Sequence, residues 1–318
     1  MAQVRVDCRS HRPYSIFRFI SDVSVAVRQQ KGVHMIKNIL LSAVLSLTVM
    51  PSAGSAWAED VTHIRIATEG AYAPWNYTLP DGSLAGYEID LAKELCRRMK
   101  AECEIVGQDW DGMLPALNAG KFDAIIASMG VTPDRQKVAA FSDPYSRAPN
   151  AFMAMKESGL DNVVPAREDF NLRTNPDGSR KVVENLAASL KGKVLGVQGS
   201  TTAGLFADAY LKDAVTIRSY KTIDEMNLDL VAGRVDLVMA NVTVLNAALA
   251  KPELSGAQLV GPTFVEGVLG SGTTNVALRK SDTALKEKFN TAIHAVDSDG
   301  FNKALTEKWF GADISVKD

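Results

Sequence analysis

Histidine and cysteine are scarce in this chain: four and three residues in 318. Cys8, His11 and His34 fall in an N-terminal stretch that reads as a leader, so the folded part keeps Cys96, Cys103, His63 and His294. Those two histidines are isolated, so a metal centre built on imidazole and thiolate lacks ligands. A histidine general base would have only a strand start and a C-terminal helix to sit on. No H-E-x-x-H, G-x-S-x-G, G-x-G-x-x-G or Walker A pattern occurs. No cofactor, and no enzyme built on these motifs, is expected. Positive charge is not in surplus either, with 35 Lys+Arg against 37 Asp+Glu. Without residues 1–58 the balance is 28 against 35, a net charge of −7. A nucleic acid or an anionic membrane surface is therefore a poor partner.

The apolar run nearest to a membrane span is Ile39–Met50, twelve residues. It follows Met35 and Lys37 and ends in a helix breaker and an A-x-A site at Ala56 to Ala58. This is the pattern of a secretory signal peptide, too short to span a bilayer. Cleavage after Ala58 leaves 260 residues for the periplasm. No cysteine follows the run, so a lipid anchor is not expected. Residues 1–34 precede a complete leader with its own methionine, and read as a misassigned or extended N-terminus. Export makes a disulfide permissible. Cys96 would lie on the last turns of a helix with Leu91, Leu95 and Met99 on one face, and Cys103 at the entry of the next strand. A bridge there would staple helix to strand, worth about 2–3 kcal/mol in the chain-entropy model.

What the chain does have is a phrase used twice. Asp111–Ser128 (DGMLPALNAGKFDAIIAS) aligns without a gap to Asp224–Asn241 (DEMNLDLVAGRVDLVMAN), 113 residues on. Leu114 and Leu117 are helix neighbours facing a core. Gly120 stands where a helix stops, and Asp111 is a plausible N-cap. FDAIIA, from Phe122 to Ala127, is a short apolar run, as in a strand buried on both faces. The repeated helix–turn–strand unit predicts two similar α/β lobes. Residues 62–149 and 266–318 form the first, and 150–265 the second. A lobe interrupted by another needs two crossings, hence a hinge that closes around a ligand.

The rest of the chain agrees with this division. VTHIRIA at 61–67 alternates as a strand and runs into a loop rich in glycine, proline and aromatics. Residues 156–190 are polar and read as an insertion plus a helix. KVLGVQ at 193–198 is a strand before the helix of Ala203–Tyr210. NVALR at 275–279 is a strand returning to the first lobe, and Ala284–Phe310 is amphipathic helix with Phe289, Ile293, Val296 and Trp309 at core positions.

In open α/β folds ligands sit at the carboxyl ends of buried strands. The residues at such places are Glu69, Tyr72, Trp110, Ala127, Ser128, Met129, Gly130, Arg135 and Asn150, with Gln198, Ser200, Thr201, Thr202 and Asn241 from the second lobe. Arg135 suits a carboxylate, which it would grip through two parallel hydrogen bonds. The backbone N–H groups at Thr201 and Thr202 open a helix and suit the same anion. Glu69 beside Tyr72 and Trp110 suits a cation by charge and by cation–π contact. One pole for a carboxylate and one for a cation describes a basic amino acid. Blander readings exist for each: Glu69 a solvated loop residue, Trp110 core, Arg135 paired with Asp134 or Asp143.

The stretches ATEGAYAPWN (67–76), GYEIDLAKELCRRM (86–99), DWDGMLPALNAGKFDAIIASMGVTPDRQKVAAFSDPY (109–145) and GVQGSTT (196–202) resemble the periplasmic amino-acid-binding proteins of ABC importers, family 3. The resemblance covers 62–311 and implies two α/β lobes joined by two hinge strands, an ABC permease in the inner membrane as partner, and a monomer. The Cys96/Cys103 spacing is shared with the binders of basic amino acids. Carried over, Arg135 matches the arginine on the ligand α-carboxylate, and Thr202 or Thr201 the threonine of the opposite lobe. Tyr72 and Trp110 match the aromatics that sandwich the side chain, and Glu69 the acid on its head group. Two positions depart. Gly130 stands where a serine is usual, and Asn241 where an aspartate holds the α-ammonium. An α-nitrogen carrying an extra carboxylated group would want both changes, as in octopine and nopaline, conjugates of arginine with a keto acid. Asn150 is a donor for the extra carboxylate. The expectation is an opine, octopine before nopaline. The alternative is free arginine, lysine or ornithine. More distant is a cyclohexadienyl dehydratase, for which Glu69 is the only acid/base candidate.

Overall fold

The computed structural model describes residues 63–160 and 168–316. The leader, the residues before it and the cleavage site lie outside them.

The chain opens with β1 (His63–Thr68), a small ribbon of β2 (Ala71–Tyr72), β3 (Asn76–Thr78) and β4 (Leu84–Ala85), and helix α1 (Tyr87–Met99). Then come β5 (Glu102–Gly107), α2 (Met113–Asn118), β6 (Ala124–Ile125), α3 (Pro133–Val138) and β7 (Ala140–Arg147). After a short crossing the second lobe runs through β8 (Asn150–Met155), β9 (Asp169–Asn171), α4 (Pro176–Ser189), β10 (Val194–Gln198) and α5 (Thr202–Tyr210). It continues with β11 (Thr216–Tyr220), α6 (Ile223–Val231), β12 (Leu237–Asn241), α7 (Val242–Leu249) and β13 (Ala257–Val265). The chain returns through β14 (Thr273–Leu278) and ends in α8 (Thr283–Ser298) and α9 (Phe301–Phe310).

The first sheet has the order β5-β1-β6-β14-β7, the second β11-β10-β12-β8-β13-β9. In each, three strands are parallel (β5, β1, β6 and β11, β10, β12), and the strand that has just crossed lies antiparallel beside them. The duplicated phrase is α2–β6 in one lobe and α6–β12 in the other, so it fills the same slot twice. Both copies end their helix the same way. Gly120 and Gly233 take left-handed backbones, φ 73° and 66°, and the next residue bonds back into the last turn.

The core is apolar and shared. Helix α1 buries Tyr87, Leu91 and Leu95 fully, each leucine worth about 1.5–3 kcal/mol in water removed from its surface. Trp75, Tyr87 and Tyr145 of the first lobe belong to one buried cluster with Met226, Val238 and Val244 of the second. Cys96 and Cys103 are bonded, with Cα atoms 6.2 Å apart.

Several local expectations are corrected. Asp111 is not an N-cap: it lies inside a 3-10 turn, Trp110–Gly112, and Gly112 precedes α2 with no side-chain cap. The strand expected over 122–127 is regular only at Ala124–Ile125, although Asp123 N and Ile126 N still donate to β1. Arg135 sits in the first turn of a short helix, α3, rather than at a strand end, because Thr132 caps that turn and Pro133 starts it. The polar insertion supplies an edge strand, β9, parallel to β13. The C-terminal helix is two helices, broken at Gly300, where φ is 79°.

Candidate ligand site

The strands of both sheets point their ends at one cleft, whose empty space of ≈ 430 Å³ includes room open to solvent. The first lobe supplies Glu69 after β1, Tyr72 from β2, Trp110, and Ala127, Ser128 and Gly130 after β6. Arg135 reaches in from α3. The second lobe supplies Asn150 at the start of β8, Gln198 at the end of β10, and Thr201 and Thr202 at the start of α5.

Three expected residues do not line it. Met129 turns away from it and packs with Met113, Leu117 and Phe122. Ser200 contributes only its carbonyl, which accepts from Arg135 Nη2 at 2.8 Å. Asn241 caps α7: its Oδ1 accepts from Thr243 N (2.9 Å) and Thr243 Oγ1 (2.8 Å). With the oxygen held there, the amide donor is the group Asn241 has left to offer. Asn241 is in register with Asn150, directly opposite on the neighbouring strand.

Four lining residues carried no sequence signal of their own, or one that went unused: Ala203, Ile223, Met239 and Ala240. Ala240 is the counterpart of Ala127 in the repeat and was findable from it. Glu88 and Thr243 act from behind the wall.

One pole of the cavity is positive. Arg135 is 9% exposed. Its Nη1 donates to Gly130 O at 2.8 Å, and its guanidinium lies 5.2 Å from the Trp110 ring centre. Asp134 pairs instead with Lys137, and Asp143 with His294. Among the described residues Arg135 has no carboxylate partner, so its charge is uncompensated. Burial lowers the guanidinium to about 10. The N-terminus of α5 faces the same region and favours an anion.

The other pole is negative. Glu69 Oε1 accepts from Gln198 Nε2 at 2.6 Å, across the lobes. Burial pushes the Glu69 carboxyl up to about 7, opposed by the Gln198 bond and helped by Glu88, Asp111 and Asp109. Burial also raises the Tyr72 phenol, which stays neutral. Two buried polar atoms here, Gln198 Oε1 and Trp110 Nε1, have no hydrogen-bond partner among the described residues. An acceptor, an acid and two aromatic faces together suit a planar cation.

The profile of the bacterial extracellular solute-binding proteins, family 3, matches residues 64–312. The octopine-binding periplasmic protein of Rhizobium meliloti is 44% identical over 293 residues, 86% of this chain and 99% of that protein. The L-arginine-binding protein of Pseudomonas aeruginosa is 33% identical over 280 residues, 87% and 98% of the two chains. Among solved structures, an ancestral arginine-binding protein bound to arginine superimposes with a TM-score of 0.66 at 30% identity, covering 79% of this chain and 99% of that one.

Proposed function

The chain belongs to the bacterial extracellular solute-binding proteins of family 3, and from that premise we propose that it binds an arginine-derived opine between its lobes, octopine before nopaline. It works in the periplasm as a monomer, reached through the leader at 35–58, and its closed form delivers the ligand to an ABC permease of the inner membrane. Arg135 takes the α-carboxylate with Thr201 and Thr202. Glu69, Gln198, Tyr72 and Trp110 take the guanidinium. Asn150 and the Asn241 amide serve the second carboxylate.

Gly130 carries the opine reading. It lines the cavity, and its backbone is outside the left-handed region that demands glycine. A Cβ built on it meets only Thr273 O at 3.5 Å and Thr202 Cγ2 at 3.6 Å, ordinary contacts. Neither backbone nor packing requires a glycine there, so the missing side chain is left as room for the ligand. Asn241 points the same way, since an amide tolerates an added carboxylate where an aspartate would repel it. The similarity to an octopine-binding protein supports the class of ligand.

Titration calorimetry on residues 59–318 tests this. Octopine or nopaline should bind 1:1 and more tightly than arginine, and Arg135→Ala should abolish binding. Gly130→Ser should weaken the opine by about 10-fold or more while sparing arginine, as one misplaced group in a tight pocket does. Tight binding of lysine or arginine with none of either opine would leave the family assignment intact and remove the opine.

A further inference from the structure

The first-lobe wall of the cavity hangs on a carboxylate that does not touch the cavity. Glu88 lies in the first turn of α1 and is 1% exposed. Its Oε1 accepts from Ser128 N at 2.5 Å and from the Tyr145 hydroxyl. Its Oε2 accepts from Asn76 Nδ2 at 2.6 Å. Asn76, itself fully buried, then accepts with its Oδ1 from Gly70 N at 2.7 Å. Among the described residues no lysine, arginine or histidine forms an ion pair with Glu88. Its charge is met by donors and by the N-terminus of its helix.

The two backbone groups so held are the ones that aim the site. Ser128 lines the cavity with φ at 49°, a left-handed backbone that a serine does not take without support. Gly70, φ 72°, immediately follows Glu69. Two loops at the ends of two different strands, β1 and β6, thus share one buried anchor. A buried carboxylate without a cation is costly, and here its donors lead to Ser128 and, through Asn76, to the loop of Glu69.

We infer that Glu88 is a positioning residue for ligand binding, acting on Ser128 directly and on Glu69 through the Asn76 relay to Gly70. This rests on the cavity being the ligand site proposed above. The relay has a polarity. The carboxylate at 88 accepts, so the amide at 76 must donate towards it and present its oxygen to Gly70 N. In Glu88→Gln the new amide donor faces Asn76 Nδ2, donor against donor. If Asn76 turns over, its NH2 then meets the Gly70 N–H, and Glu69 loses its anchor. The Ser128 side suffers the same fate if the amide at 88 rotates instead. The exchange Glu88→Gln with Asn76→Asp restores the polarity: the amide at 88 donates, and the carboxylate at 76 accepts from both it and Gly70.

The experiment is that cycle, measured at about pH 8, above the value of about 7 to which burial raises Glu88. Amide proton shifts are recorded on the ligand-free protein, and affinity is measured for octopine, nopaline and arginine. Each single variant should move the Gly70 or Ser128 amide signal and weaken the ligand that wild type binds by about 10–100-fold, the loss seen when a supporting shell is broken. The double variant should restore the Gly70 signal and return the affinity to within about threefold, a coupling that only a direct interaction gives. Singles that melt earlier but bind like wild type would reduce Glu88 to a folding role and overturn the inference. So would a double variant as weak as the worse single. If wild type binds none of the three compounds, the opine and basic amino-acid readings fall. The amide signals then still decide whether the relay exists: unmoved in the singles, they overturn it.

Discussion

Two carboxyls near the cavity, Glu69 and Glu88, stand at about 7 because burial penalises their charged forms. Their ordinary value is 4.5. Folding therefore takes up protons on them between those limits, and the stability tied to the protonated forms is present below 4.5 and lost as pH rises through about 7. Glu94 runs the other way. Hydrogen bonds from Arg97 and Arg98, against desolvation, hold it at about 2, so its contribution is present above 4.5 and lost as pH falls through about 2. Ligand-free protein should melt progressively earlier from about pH 5 to about pH 8, and Glu69→Gln should flatten part of that slope. Ligand binding has the opposite sign. A guanidinium beside Glu69 prefers the anion, so affinity should rise with pH up to about 7 and binding below that should release a proton. Calorimetry in buffers of different ionisation enthalpy reads the proton directly. Equal heats in all buffers, with an affinity flat in pH, would take Glu69 out of the cation site.

At the scale of elements, the disulfide joins α1 to β5 at the edge of the first sheet, far along the chain from both crossings. It closes a short loop, and the double change Cys96→Ser with Cys103→Ser should cost about 2–3 kcal/mol in urea unfolding. Ligand affinity should stay as it was, since α1 is also held by Tyr87, Leu91 and Leu95 in the core. A loss of binding without loss of stability would mean the bridge aims Glu88 rather than merely closing the loop. The repeated unit shows why its elements are alike. A helix stopped by a left-handed glycine feeds a buried parallel strand, and the strand end faces the other lobe. The copies differ at the helix start, where Thr222 caps α6 and no side chain caps α2, and again past the strand. The first makes the Ser128–Gly130 turn and then the helix of Arg135. The second runs straight into α7 with Asn241 as its cap.

Across the whole molecule, side-chain hydrogen bonds tie the lobes together. Arg135 Nη2 donates to Ser200 O, Gln198 Nε2 to Glu69 Oε1, and Trp75 Nε1 to Thr243 Oγ1, the last at 2.7 Å and buried. The first two belong to residues that line the cavity, so a ligand competes with or completes them. The crossings run from Arg147 to Asn150 and from Val265 to Thr273, and the second carries left-handed backbones at Glu266, Gly267, Gly270 and Gly272. Gly270 is required: a Cβ there would lie 2.1 Å from Val131 O. These are the places for the φ/ψ change of a hinge. Small-angle scattering should show ligand-free protein more extended than the structure, and saturating octopine should shrink it. Arg135→Ala should leave the extended form unchanged by octopine. A radius of gyration already minimal without ligand would remove hinge closure from the mechanism.

The sequence by itself determined the fold class. Period and composition are local, and a unit used twice at a distance of 113 residues states its own architecture. It also determined which strand ends meet, and with them most of the cavity: Glu69, Tyr72, Trp110, Ser128, Gly130, Arg135, Asn150 and Gln198. Which way each side chain turns was left to the packing of segments distant in the chain. Met129 looked equivalent to its neighbours, and the turn after β6, left-handed at Ser128, leaves it in the core. Asn241 looked free at both ends of its amide, and Thr243 claimed the oxygen and left the donor. Glu88 looked like any acid at a helix start. Its role depends on Asn76, Ser128 and Tyr145, which lie 12, 40 and 57 residues away. Hydrogen bonds between residues so separated leave no periodic trace, so packing alone brings them together.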